Sequence, residues 1–198
     1  MPYATNPTVN RRRMWGNIMY QKLAIALFAA ALSACVSDQT YQAEVKKTAT
    51  YEALSKQLQT EIKADQVQIQ QLQDRLKVTM VDEILFPEGG YQLSRRGEET
   101  LEKIVPTLRG LQNQRIVVEG FTDNVPIGPE LKARFPSNWE LSTARATDVV
   151  RFLETKGVPG KALAAEGIGD SRPVASNDSP AGRAKNRRVD IVITGLNQ

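Results

Sequence analysis

Asp123 sits in the segment Glu119-Gly-Phe-Thr-Asp-Asn124, and Arg145 lies in the early turns of the helical stretch that begins Pro136-Ser-Asn-Trp-Glu-Leu-Ser-Thr-Ala-Arg-Ala146. A guanidinium holds a carboxylate through two parallel N–H bonds, and a carboxylate attracts an ammonium. In one cleft the two side chains would grip both ends of an amino-acid zwitterion. Val149 centres the apolar face of the helix, with Ala146, Phe152 and Leu153 around it and Arg145 as its only charge. Desolvating an unpartnered charge costs several kcal/mol, so Arg145 must find a partner or reach a cleft. Spacing leaves two arrangements open: a ligand cleft, or an ion pair between Asp123 and Arg145 that fills no pocket.

The elements around these residues place them at one rim. Gln114 to Phe121 alternates as a strand, with Ile116 and Val118 on one face and Val117 on the other, and Asp123 falls just past its carboxyl end. The following helix, about Trp139 to Lys156, opens with Ser137 and Glu140 at capping-box spacing, although Asn138 could cap instead. In open helix-on-sheet folds ligands gather at this rim, helped by the positive end of the helix dipole. Upstream, Lys77 to Phe86 reads as a strand ended by Pro87-Glu-Gly-Gly90. Leu101, Ile104, Val105, Leu108 and Leu111 mark a helix capped by Ser94 that Pro106 should kink or interrupt. A short helix after Gly157-Val-Pro-Gly160 and two more apolar stretches, Leu163 to Ile168 and Arg187 to Ile193, complete the pattern. Strands alternating with amphipathic helices predict an α/β (α+β) layer domain over residues 78–198.

Composition removes several functions. The 198 residues are 41% hydrophobic and 24% charged, which suits one core-forming domain with appendages. The net charge of +4 comes from Arg11, Arg12, Arg13 and Lys22 near the start. Without those four of the 26 bases, 22 remain against 22 acids, so the footprint of a nucleic-acid binder is missing. With no histidine and one cysteine, Ser-His and Cys-His triads and His or Cys zinc sites have no residues to build them. No pair of carboxylates is marked out for acid–base work, and the expectation is a binding protein that carries no cofactor or metal and catalyses nothing.

The basic stretch leads to the apolar run Leu23-Ala-Ile-Ala-Leu-Phe-Ala-Ala-Ala-Leu32, far short of the roughly 20 residues a spanning helix needs but suited to a signal peptide. Leu32-Ser-Ala-Cys35 resembles the lipobox of bacterial lipoproteins, which implies that residues 1–35 are a leader and that Cys35 is acylated and anchors the chain in a membrane. The other reading is an ordinary signal peptide cleaved near Ala34 that leaves a free thiol. Val36, where an aspartate usually signals inner-membrane retention, implies outer-membrane sorting. The segment before the apolar run is long for a leader, and Met14 or Met19 would serve as the start. Residues 36–48 read as a flexible linker. Over 49–77, Tyr51, Leu58, Asp65 and Leu72 recur every seven residues beside Ser55, Ile62, Ile69 and Leu76. They predict one helix, a rod of about 40 Å at roughly 1.5 Å per residue. It would be either a short coiled coil, open to self-association or a protein partner, or a solitary helix docked on the domain.

Glu119-Gly-Phe-Thr-Asp-Asn124, Asn138, Leu141-Ser-Thr-Ala-Arg-Ala146, Gly167-Ile-Gly169, Asn177 and Gly182-Arg-Ala-Lys-Asn-Arg-Arg-Val189, in that order, resemble the C-terminal peptidoglycan-binding domain of the OmpA/MotB family. The resemblance covers about Val78 to Gly195. It implies a mixed sheet of about four strands covered by helices, and a partner, peptidoglycan, held through the diaminopimelate of its stem peptides. By motif, Asp123 would take the ammonium and Arg145 the carboxylate. Thr122 and Asn138 would add hydrogen bonds, Leu141 would form part of the wall, and Arg188 is a further candidate, unless it is a strand-edge charge that ties down the preceding loop. Phe121 departs from a common histidine and Pro87-Glu88 from a common aspartate, and the loop from Val125 to Phe135 is more like the motor-stator branch. The implied role is a lipid-anchored tether from outer membrane to cell wall, facing the periplasm. The alternative is an accessory flagellar-motor or envelope-signalling lipoprotein that uses the wall for positioning.

Overall fold

The computed structural model describes residues 41–195. The chain divides into two units, Met1–Ala43 and Glu44–Gln198, and the second carries the sheet and the site. The leader, Cys35 and residues 36–40 of the expected linker lie outside the described residues. Among the described residues no helix is long and apolar enough to cross a membrane.

In chain order the elements are α1 (41–57), α2 (Gln59–Lys63), β1 (Val67–Gln71), β2 (Arg75–Val81), α3 (Asp82–Leu85) and α4 (Arg95–Gly110). There follow β3 (Arg115–Phe121), α5 (Pro129–Lys132), α6 (Asn138–Thr155), a 3-10 turn (Gly160–Ala162), β4 (Leu163–Gly169), α7 (Pro180–Asn186) and β5 (Arg188–Thr194). The strands form one mixed sheet in the order β1-β2-β5-β3-β4, five strands where about four were expected. β5 runs antiparallel to both β2 and β3, and β3 is parallel to β4. The carboxyl ends of β2 and β3 therefore share one edge with the start of β5, and Val81 and Phe121 both pair with Arg188 there.

Alternation decides the core. Leu76, Val78 and Met80 of β2, Ile116 and Val118 of β3, and Val189, Ile191 and Ile193 of β5 point to one side. They meet Leu101, Ile104, Val105 and Leu108 of α4 and Ala146, Val149 and Leu153 of α6. Each buried aliphatic side chain contributes about 1.5–3 kcal/mol. α4 begins where expected, with Ser94 accepting a bond from the Gly97 N–H, and runs through Pro106 to Gly110 without interruption. The apolar stripe lies on both sides of the exposed proline and holds the helix to the sheet.

Three expectations fail upstream. The helix predicted over 49–77 stops at Lys63, and residues 67–81 form the β1–β2 hairpin, with Val67 opposite Met80 and Gln71 opposite Leu76. Asp65 takes the left-handed conformation at φ 55° and breaks the helix, and Val67-Gln-Ile69 alternates with the period of a strand. The linker expected over 36–48 is helical from residue 41, and Lys47 is buried where its Nζ donates to the Gln73 carbonyl at 3.0 Å and to Glu44 at 2.7 Å. Of the heptad positions, Leu58 and Leu76 are completely buried in the domain's own core, as is Leu54 beside them; Tyr51, Ile62 and Ile69 are partly buried against it, and Leu72 is exposed. The helix lies docked on the domain, the second of the two expected arrangements. The first strand is shorter than expected too, since Asp82–Leu85 turns into α3 at its end.

Candidate functional site

A cleft of about 820 Å³ opens at the shared strand edge. Its floor is Thr122 and Asp123 at the end of β3, one wall is Asn138, Leu141 and Arg145 of α6, and the opposite wall is Asp82, Glu83 and Phe86. Val125 and Ile127 of the loop after β3 and Leu131 of α5 form an apolar side, and Arg183 and Arg187 reach in from the α7 end.

Close packing puts the helix beside the strand. A Cβ on Gly120 would collide with the Ser142 carbonyl oxygen, so only glycine lets α6 approach β3 here. The helix start is the predicted capping box: Ser137 Oγ accepts from the Trp139 N–H, and the Glu140 carboxylate accepts from the Ser137 N–H at 2.8 Å. Hydrogen bonds from Ser137 hold the Glu140 carboxyl below its ordinary range. Asn138 then stitches the floor to the helix, its Nδ2 donating to the Asp123 and Val125 carbonyls at 3.1 and 3.2 Å.

Asp123 and Arg145 line this one cleft and make no direct ion pair with each other. Asp123, 8% exposed, accepts from the Val125 N–H at 3.0 Å and from Arg187 Nη1 at 2.9 Å. Arg145, 5% exposed, donates from Nε and Nη2 to the Gly90 carbonyl at 2.9 and 2.7 Å, places Nη1 3.1 Å from Asp82 and lies over the Phe86 ring. These contacts occupy three of the five guanidinium N–H groups and leave two for a ligand. Burial raises the Asp82 carboxyl above its usual value against the pull of Arg145 and Arg187, and burial lowers the Arg145 pKa against the attraction of Asp82. For Arg187, burial lowers the pKa but is outweighed by the hydrogen bond and charge of Asp123, so the net shift is upward. The cleft is thus a chain of alternating charges, Glu83–Arg187–Asp123 on one side and Asp82–Arg145 on the other.

Thr122 is 5% exposed, and its Oγ1 has no hydrogen-bond partner among the described residues. A buried hydroxyl without a partner costs free energy that a bound donor or acceptor would recover.

Of the six candidate ligand-binding residues, Thr122, Asp123, Asn138, Leu141 and Arg145 line the cleft, and Arg188 does not. Arg188 is the first residue of β5. It stacks on Phe121 at 3.6 Å from the ring centroid and donates to the Asn186 and Arg172 carbonyls, with Nε 3.4 Å from Asp190. It ties down the preceding loop, the other role open to it. Its neighbour Arg187 takes the cleft, because one step along an extended chain reverses the side. Asp82, Glu83 and Arg187 escaped sequence reasoning. The available signal was a pair of acids interrupting the apolar run Val81 to Phe86, and the doubled arginine at 187–188.

The family model for OmpA matches residues 85–187, more than half the chain. The chain belongs to the OmpA family. Among OmpA-family relatives, it is similar to the peptidoglycan-binding protein ArfA of Mycobacterium tuberculosis, 36% identical over 62% of this chain and 35% of that one. It is also similar to the outer-membrane lipoprotein YfiB of Pseudomonas aeruginosa, 32% identical over 68% of this chain and 80% of that one. The fold matches the solved cell wall anchor of the type VI secretion system from Pseudomonas aeruginosa, with a TM-score of 0.64 and 38% identity over 71% of this chain and 96% of that one. Several curated relatives, a Bacillus subtilis motility protein B among them, are longer proteins of which the chain spans 35–58%.

Proposed function

We propose that the protein is an outer-membrane lipoprotein that binds peptidoglycan without covalent chemistry, through the diaminopimelate of its stem peptides, and so tethers the membrane to the cell wall. The observation that carries this reading is one cleft holding a carboxylate, Asp123, a guanidinium with two free N–H groups, Arg145, and a partnerless hydroxyl, Thr122. A free amino-acid head group needs an acceptor for its ammonium and a forked donor for its carboxylate, and the cleft offers both. The apolar side formed by Val125, Ile127 and Leu131 suits the methylene arm that joins the head group to its stem. The lipobox-like Leu32-Ser-Ala-Cys35 supports the anchor, and the likeness to the peptidoglycan-binding protein ArfA, the outer-membrane lipoprotein YfiB and the secretion-system cell wall anchor supports peptidoglycan as the partner and the envelope as the compartment.

Purified protein carrying Cys35→Ser should co-sediment with diaminopimelate-containing sacculi and not with lysine-type sacculi, whose third stem residue lacks the carboxylate. Asp123→Asn, which keeps the shape of the side chain, should remove most of the bound fraction. Equal sedimentation with both sacculus types would overturn the ligand assignment. Membrane fractionation of wild type against Cys35→Ser tests the anchor separately.

A further inference from the structure

Trp139 is 50% exposed at the second position of α6, while its backbone is held on both sides. Its N–H donates to Ser137 Oγ at 3.2 Å, and its carbonyl accepts from Ser142 Oγ at 3.0 Å and Thr143 Oγ1 at 2.8 Å. The indole thus stands in water on a rigid mount, and it lines a second cavity of about 300 Å³ together with Asn124, Ile127, Lys132 and Asp170. Asp170 is brought there by Gly169, which turns out of β4 at φ 59°, where a Cβ would lie 3.5 Å from the backbone of Asn138 and Trp139, and whose N–H donates to Ser142 Oγ at 3.0 Å.

The chemistry of this cavity differs from that of the cleft. A flat aromatic surface is bordered by a carboxylate acceptor, an ammonium donor and a carboxamide that is both. The side chains of Asn124, Lys132 and Asp170 spend no hydrogen bond or ion pair on other described residues. An apolar peptide side chain would leave those polar groups without partners, and an ion would have no use for the indole. A pyranose satisfies both demands: its C–H face lies on an aromatic ring, and its hydroxyl and acetamido groups donate and accept around the rim.

The two cavities are neighbours, since Pro126, Ile127 and Asn138 line both. We infer that Trp139, with Asn124, Lys132 and Asp170, forms a glycan subsite that receives the N-acetylated amino sugar from which the stem peptide hangs. The inference rests on the diaminopimelate reading of the cleft and extends it from the peptide to the sugar strand. Two residues separate diaminopimelate from the sugar, and at about 3.3–3.6 Å per residue an extended stem carries the chain from one cavity into its neighbour. Contact with both parts would also fix the direction in which the strand crosses the domain.

The test compares two probes on the full chain bearing Cys35→Ser, by titration calorimetry: the free L-alanyl-D-glutamyl-diaminopimelate tripeptide, and the same tripeptide on its N-acetylglucosaminyl-N-acetylmuramyl disaccharide. Wild type should bind the disaccharide form roughly five- to tenfold tighter, the range of a good aromatic contact. Trp139→Ala should erase that gain and leave tripeptide affinity unchanged. Asp170→Asn, which disturbs no helix residue, should reduce the gain partly. Equal affinity of wild type for the two probes overturns the glycan subsite alone, as does a Trp139→Ala variant that weakens both probes by the same factor. Failure of wild type to bind either probe overturns the reading of the cleft, and the subsite with it.

Discussion

Thr122 separates binding from folding at the scale of a single residue. Its Oγ1 gives nothing to the fold, so Thr122→Val removes a buried polar atom at little cost to stability, or with a small gain. If the hydroxyl serves the ligand, the same change weakens sacculus binding by roughly two- to tenfold, the worth of one hydrogen bond. Unchanged sedimentation would remove Thr122 from the site. Asp82 yields a pH prediction. Burial raises its carboxyl, so between its ordinary value and its native one the folded protein holds a proton that the unfolded chain has released. The contribution of Asp82 to stability therefore falls as pH rises through that interval and recovers as pH falls. The unfolding free energy of wild type minus that of Asp82→Asn should decline with rising pH across the same window in chemical denaturation. In an NMR titration the Asp82 midpoint should lie above the common carboxylate range and climb further in Arg145→Gln, which removes the charge that holds it down.

At the scale of elements, the site depends on how closely α6 lies against β3. Gly120→Ala drives a methyl group into the Ser142 carbonyl, and the helix must shift or the strand must bend. Overpacking of this kind costs about 1–3 kcal/mol. Chemical denaturation should show that loss, and sacculus binding should fall as well because Arg145 and Asn138 move with the helix while Asp123 stays with the strand. An alanine tolerated in both assays would mean that α6 and β3 are less rigidly coupled than the contact indicates. The motifs that specify these elements were legible because each is local: the Ser137–Glu140 capping box, the Ser94 cap, and the alternation of Ile116 and Val118. The β1–β2 hairpin was not. Ile69 satisfies a heptad and an alternating pattern alike, and the choice fell to Met80, Val78 and Leu76, the partners waiting across the sheet.

For the molecule as a whole, α1 and α2 belong to the binding domain. Leu58→Ala should cost about 2–5 kcal/mol in chemical denaturation, the usual range for a fully buried leucine, whereas a free spacer helix would lose almost nothing. A fragment beginning at residue 78 would lack Leu54, Leu58 and the edge strand β1, and the second compact unit, Glu44–Gln198, is the better boundary. What the sequence determined by itself was the chemistry on offer and the local elements that present it: Asp123 after a strand, Arg145 on the polar break of an apolar helix face, and no residues for a triad or a histidine or cysteine metal site. What only tertiary structure decided was who meets whom. Asp82 and Arg187 join the cleft because β2 and β5 pair antiparallel, with Val81 opposite Arg188, and Arg188 turns away because adjacent residues on an extended chain face opposite sides. Side-chain type and short-range period are written along the chain. Contacts between segments far apart in sequence depend on strand register, and register is set by which hydrophobic faces find one another in the core.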